Sequence, residues 1–430
     1  MFRSSEPVGD AAGRRPLLWP LFLGTFFVAA GGGAIFPLLA DLQDAHDLPT
    51  WGLGVISALA FVGAIVGQLL LAPLADRGHT RRLLLLGAIG SVVALVLFAV
   101  SGTLWQFALG RLLEGIAMGA YLPATRATLV RADPGRAGHL LGRYTATETG
   151  GFVLGPVVGT ILFQLWGLRA PFLFLAVAVA LVTVVLARSS IPEAADQVRP
   201  AASDAPAVGQ DVSPAAHPGV FASLALLRIP GVVVAVVLEL AVYLPVGIYD
   251  SLWARYLQDR GATTAFIGLG LSLYGIPYVL WAPRGGRLAD RFGPVRTATI
   301  GMLVVVPTTA LYGLLAAPLA ITALALVEAF GNATAVPSAQ TAMARSCPPE
   351  RLAAGQGLSG SISLLCAAIA ASVAAPVYEA VGSEVLFLGA GVLMAGLVVL
   401  AQVLDRRGGG RAVPAGPAAD LHLAVVPEPT

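Results

Sequence analysis

Gly286-Arg287-Leu288-Ala289-Asp290-Arg291-Phe292-Gly293, followed by Arg296, breaks a long apolar run with concentrated charge. An earlier stretch, Leu74-Ala75-Asp76-Arg77 followed by Arg81 and Arg82, reads almost identically. Asp290 lies 214 residues after Asp76 (290 less 76), half the chain, and Arg296 follows Arg82 at the same offset. The register extends outward from the motif: Gly54 meets Gly268, Glu114 meets Glu328 and Pro123 meets Pro337. Self-similarity on this scale means one structural unit written twice.

The 430 residues are 57% hydrophobic and only 12% charged, against ~25% charged in a soluble domain. The apolar runs approach the ~20 residues that cross a bilayer, so the chain reads as an integral membrane protein. A net charge of +2 leaves no electrostatic footprint for nucleic acid. All basic residues are Arg; without Lys there is no Walker phosphate loop, which disfavours an ATP-driven motor. Two cysteines, Cys347 and Cys366, are too few for a disulfide framework or a structural zinc site. No nucleophile–base or metal constellation is visible, so no cofactor, no metal and no enzymatic activity are expected.

Hydropathy predicts spans at roughly 17–40, 51–75, 83–100, 104–130, 139–165 and 170–187, then 229–257, 263–284, 297–315, 319–344, 352–380 and 384–404. The organisation is a polar segment 1–16, a six-helix bundle 17–187, a linker 188–222, a second bundle 223–404 and a tail 405–430. The linker is rich in Ala, Pro, Asp and Ser with no hydrophobic period, the signature of a segment that cannot build a core. Alternate loops carry Arg77/Arg81/Arg82, Arg131/Arg136, Arg188/Arg199, Arg287/Arg291/Arg296 and Arg345/Arg351, while the opposite loops carry Asp41, Asp44, Asp47 and Asp259. Positive charge stays on the cytoplasmic side, which puts both termini and the linker there, in a plasma membrane. Six crossings is an even number, so the halves are parallel repeats related by an axis along the membrane normal, with a substrate site between them.

These residues resemble the major facilitator superfamily over nearly the whole chain. The loop after span 2 is similar to the family's signature loop, with Ala72 in place of its first Gly and His79-Thr80 in place of the later Gly-Arg; Gly286 to Arg296 is the better copy. Arg111-Leu112-Leu113-Glu114-Gly115 in span 4 resembles a second family motif. Gly151, Gly155, Pro156 and Gly159 in span 5 resemble the motif of the exporting, antiporter branch, with Thr160 replacing a final Gly. The resemblance implies an all-α fold of twelve transmembrane helices in two parallel bundles, a cavity lined by helices 1, 4, 7 and 10, and action as a monomer on a small molecule.

Asp76, Arg77, Arg82, Asp290, Arg291 and Arg296 are candidates for a cytoplasmic gate. A carboxylate there gains from facing a helix N-terminus and latches the halves; the alternative is that these charges only enforce topology. Gly151, Gly155 and Gly159 clear one helix face for close contact, and Pro156 bends it. That is expected to serve the rocking of one half on the other, or static packing. Charge at bilayer depth marks function, and it falls on Arg111, Glu114, Glu239 and Glu328, in spans 4, 7 and 10. Arg111 and Glu114, three residues apart, share a face and can pair. Glu239 shares a stripe with Tyr243 and Asp250, and neither it nor Glu328 has a cation within several turns on its own helix. Dry burial favours the protonated form of such a carboxyl, so Glu239 and Glu328 are the leading proton-coupling candidates, ahead of Glu114 and Glu148. Arg111, Met118, Tyr121, Tyr243, Asp250 and Asn332 are expected at the substrate cavity. Its aromatic, sparsely polar surface points to hydrophobic or amphipathic compounds and to proton-coupled export. Import of a metabolite by proton symport, or a transport-dead scaffold or sensor, are the competing readings.

Overall fold

The computed structural model describes residues 18–71, 74, 78–133, 136–189, 224–348 and 351–408, which are helical almost throughout. Asp76 and Arg77, segment 1–16 and nearly all of the linker lie outside them. The first half comprises α1 (Trp19–Ala45), α2 (Thr50–Leu71), α3 (Thr80–Val100), α4 (Leu104–Ala132), α5 (Ala137–Trp166) and α6 (Ala170–Arg188). The second comprises α7 (Pro230–Gln258), α8 (Thr264–Phe292), α9 (Pro294–Tyr312), α10 (Pro318–Ser346) and the long run α11 (Leu352–Gly408). Ten helical stretches among the described residues are long and apolar enough to cross a membrane by length and composition.

Local chemistry sets the helix limits. α6, α7, α9 and α10 carry Pro in their first turn, where the missing N–H has no intrahelical partner to lose. Gly293, at φ 89°, ends α8 and turns directly into α9, and α11 is interrupted at Gly382, at φ 83°; both backbones favour Gly because it lacks Cβ. α1 passes through a single 3-10 turn at Phe36–Leu38, around Pro37.

The repeat is visible in the packing. In the first half α2 and α3 pack on α4, α5 on α1 and α6 on α3; in the second, α8 and α9 pack on α10, and α11 on both α7 and α9. Between the halves, α2 meets α11 and α5 meets α8. Exchanging the halves converts one contact into the other, as a two-fold relation requires. The cores remain largely separate, one built around Phe98, Phe107, Tyr121 and Phe172, the other around Tyr256, Met302, Tyr312 and Phe387.

Three expected boundaries move. Asp41 and Asp44 belong to the last turns of α1 and not to a loop. The charged motif from Gly286 to Phe292 is helical, with only Gly293 turning. The tail continues α11 as far as Gly408. In each case the helix runs past the apolar stretch, because its backbone hydrogen bonds do not depend on side-chain polarity and hydropathy marks only the membrane-buried part.

Candidate functional site

Arg111 is seven residues, about 10 Å, into α4. Its Nη1 donates to Glu114 Oε2 at 2.8 Å, one turn along the same helix. Its Nη2 reaches both carboxylate oxygens of Asp250, on α7 of the other half, at 3.2 Å. The Phe36 ring centre lies 5.6 Å from the guanidinium carbon. All three charged residues are 4% exposed. One arginine therefore serves two carboxylates and ties the halves together in the protein interior. Glu114 Oε1 and Arg111 Nε have no hydrogen-bond partner in this arrangement. Gly32 of α1 leaves the space beside that oxygen, since a Cβ there would come within 3.2 Å of it.

Two further carboxylates lie in the second half, each 1% exposed. Glu328 on α10 accepts from Tyr249 of α7 at 2.9 Å, from Tyr312 at the end of α9, and from Asn332 one turn along at 3.3 Å. Asn332 also donates to Tyr274 of α8 at 2.9 Å, and the Tyr249 hydroxyl meets Thr309 at 3.0 Å. Glu239 on α7 accepts from Ser359 and, at 3.3 Å, from Ser363. Those serines are four residues apart and so present both hydroxyls on one face of α11. No arginine bridges to either carboxylate among the described residues.

The polar contacts between halves gather towards one end of the molecule, the end where α1 and α7 finish. Arg255 donates to Asp44 at 2.5 Å, Thr264 to both oxygens of Asp41 at 2.9 Å, and Ser272 of α8 to the Val153 carbonyl of α5 at 2.5 Å. At the opposite, arginine-rich end, Asp290 pairs with Arg345 of its own half at 2.7 Å. Arg291 stacks over Phe292, while Arg82 and Arg296 are exposed. Asp76 and Arg77 lie outside the described residues.

The span 5 glycines face α1 and not the other half. Gly151, Gly155 and Gly159 face Phe26, Ala30 and Ala34 of α1, within the same half; a Cβ on Gly151 would sit 2.2 Å from a carbonyl. The other half instead meets α5 through its own glycines: Gly268 against Thr160 and Pro156, and Gly275 against Val153. Tyr121 is fully buried beside Gly24 and Gly87 in the first-half core. Met118 lies beside Gly32, near Glu114. Tyr243 is half-buried on α7. Glu148 is paired with Arg126 at 3.1 Å near the surface. The Asp250–Arg111 contact is the feature that sequence reasoning missed. Its partners are 139 residues apart, and the only signal was an acid placed deep in an apolar span.

Known proteins share both sequence and fold with this chain. A multidrug resistance protein MdtG of Proteus mirabilis is 27% identical over 300 residues, 67% of this chain and 71% of that protein. One from a Rahnella species is 26% identical over 361 residues, 81% of this chain and 84% of its own. Among solved structures, a bacterial homolog of the human lysosomal transporter Spinster, inward-facing and unoccupied, superposes with a TM-score of 0.75 at 16% identity, covering 93% of this chain and 98% of that one. The nucleoside transporter NupG gives 0.72 at 14%, covering 90% and 99%. The sequence profile of the Major Facilitator Superfamily matches residues 21–253 and again 235–427. The repeated bundle, the charge buried between its halves and that match together make this chain a multi-span, non-enzymatic transporter belonging to the Major Facilitator Superfamily.

Proposed function

We propose that this transporter exports small hydrophobic or amphipathic compounds in exchange for protons, by alternating access between two six-helix bundles. The carrying observation is a charge imbalance. Among the described buried residues there are four carboxyl groups, Glu114, Glu239, Asp250 and Glu328, and one cation, Arg111. Holding all four ionised at bilayer depth costs several kcal/mol for each unpaired group, so some carry protons for at least part of the cycle. Glu239 and Glu328 are the candidate carriers, since hydroxyl and amide donors surround them and, among the described residues, no arginine bridges to either. Arg111 with Glu114 and Asp250 shapes the centre and couples the halves. Efflux is supported by the relatives, which are named multidrug resistance proteins, and by the aromatic surface around Tyr243, Tyr249 and Tyr274.

Counting α4 as a crossing and dividing α11 at Gly382 supports twelve crossings, in a monomer. The arginine bias supports cytoplasmic termini. Asp76 and Asp290 then latch the cytoplasmic side in the alternate state. The test is accumulation of a panel of amphipathic compounds in cells with and without the gene, with the proton gradient intact or collapsed. Lower accumulation that vanishes with the gradient is expected. Higher accumulation in expressing cells would replace this reading by proton symport, which the same carboxyl excess also supports; no difference for any compound would favour a scaffold.

A further inference from the structure

A furrow of about 290 Å³ runs between α2 and α3 on the outer face of the first half. Both helices pack on α4, and α2 ends in a π-helical turn at Gly67–Leu71. The floor is made of Gly87, Gly90, Ala117 and Ala120, and Leu74 and Leu86 form part of its apolar walls. Leu86 is 64% exposed, so the furrow opens sideways, where hydrocarbon lies. Its arginine-rich end carries Arg82 and His79. Both are exposed, and neither meets a carboxylate among the described residues.

The symmetry of the fold makes this furrow informative. At the 214-residue offset, Gly90 becomes Val304, Ala117 becomes Gly331 and His79 becomes Gly293, while Arg82 becomes Arg296. Val304 fills the equivalent space: its Cβ lies 3.0 Å from where a Cβ on Gly331 would stand. Among the described residues the second half therefore repeats the arginine with Val304 occupying the matching floor, while the first half combines an apolar slot with two basic groups at its rim. An apolar slot sized for a hydrocarbon chain, capped by basic side chains at the membrane surface, is complementary to an anionic lipid.

We propose that this furrow binds one anionic phospholipid, with an acyl chain along the Gly87–Gly90 floor and the phosphate between Arg82 and His79. The site is independent of which compound is transported and in which direction. The test is native mass spectrometry of the purified full chain, equilibrated with equal phosphatidylglycerol and phosphatidylcholine. The parent is expected to retain one phosphatidylglycerol in preference to phosphatidylcholine. Arg82→Gln removes about a five-fold share of that preference, the worth of one arginine at a membrane surface, and Arg82→Lys restores most of it. Gly90→Val with Ala117→Gly transplants the packing that the second half already tolerates, and is expected to abolish retention with both basic groups intact. Equal retention of the two lipids by the parent, or unchanged retention in both Arg82→Gln and the transplant, would reduce the furrow to ordinary annular lipid and overturn the proposal. Displacement by an equal concentration of soluble glycerophosphoglycerol would overturn it too, since the head group alone would then suffice.

Discussion

At the scale of single residues, Arg111 has the largest expected effect. Its guanidinium is the only buried cation among the described residues, and removing it strands Glu114 and Asp250 together. Breaking a buried ion pair by deleting one partner costs ~3–5 kcal/mol. Arg111→Met is therefore expected to lower the unfolding midpoint of the purified protein sharply, and adding Glu114→Gln and Asp250→Asn should recover part of the loss. Asp250→Asn alone is expected to cost less, because Arg111 keeps Glu114. A midpoint unchanged in Arg111→Met would show that water already solvates this centre. The carboxyls without cations make a different prediction. Glu239→Gln and Glu328→Gln mimic the neutral form in size and shape. In whichever one is the carrier, downhill substrate exchange survives while pH-driven accumulation and proton release on substrate addition are lost. Parent-like proton release from both variants would move the carrier to Glu114 or Glu148.

At the scale of elements, α5 is held on two faces by two kinds of glycine. Its own glycines press it against α1, backbone to backbone, and Gly155 faces the Ala30 carbonyl with room for no Cβ. Gly268 of α8 meets α5 across the halves, where a Cβ would fall 2.6 Å from the Thr160 side chain. Overpacking typically costs ~1–3 kcal/mol, but the consequence should differ by face. Gly155→Val disturbs one half from within and is expected to reduce protein abundance. Gly268→Val is expected to leave abundance near normal while transport falls, because each half folds but the two no longer close against each other. Immunoblotting and uptake on the same cells check both. Normal transport by Gly268→Val would mean that the α5–α8 contact is not part of the cycle.

At the scale of the whole molecule, the halves are joined at the end where α1 and α7 finish. Asp44 with Arg255 and Asp41 with Thr264 span the join there, above the buried Arg111–Asp250 pair. Asp44 is largely exposed, and an exposed pair contributes only ~0–1 kcal/mol; such a contact can form and break within a cycle. In a background with Cys347→Ser and Cys366→Ser, Asp44→Cys with Arg255→Cys joined by a short bismaleimide is expected to stop transport. Arg260→Cys with Ser383→Cys, neighbours within the second half at 2.9 Å, should tolerate the same reagent. Continued transport after complete cross-linking of the first pair would show that this end does not open. Labelling from outside the cell at Ala205 or Ala415 would reverse the orientation proposed from the arginines.

Much of this was legible in one dimension because a bilayer tests residues almost one by one. Apolar length identifies spans, and the matched Asp76 and Asp290 motifs declare two copies of one unit. The carboxylates at Glu114, Glu239 and Glu328 were visible for the same reason, as charges where lipid penalises charge. Three-dimensional packing alone decided which groups meet. Helical spacing placed Glu114 beside Arg111, but the second carboxylate on that arginine comes from Asp250, 139 residues away. Glu328, with no cation within several turns on its own helix, is enclosed by tyrosines from α7 and α9. The span 5 glycines could be read as a rocking surface or as static packing, because glycine spacing reports a close approach without naming the neighbour, and they face α1. Hydropathy fixes where each helix crosses the membrane; its rotation about its own axis, and so which side chains share a site, is set only by the helices packed around it.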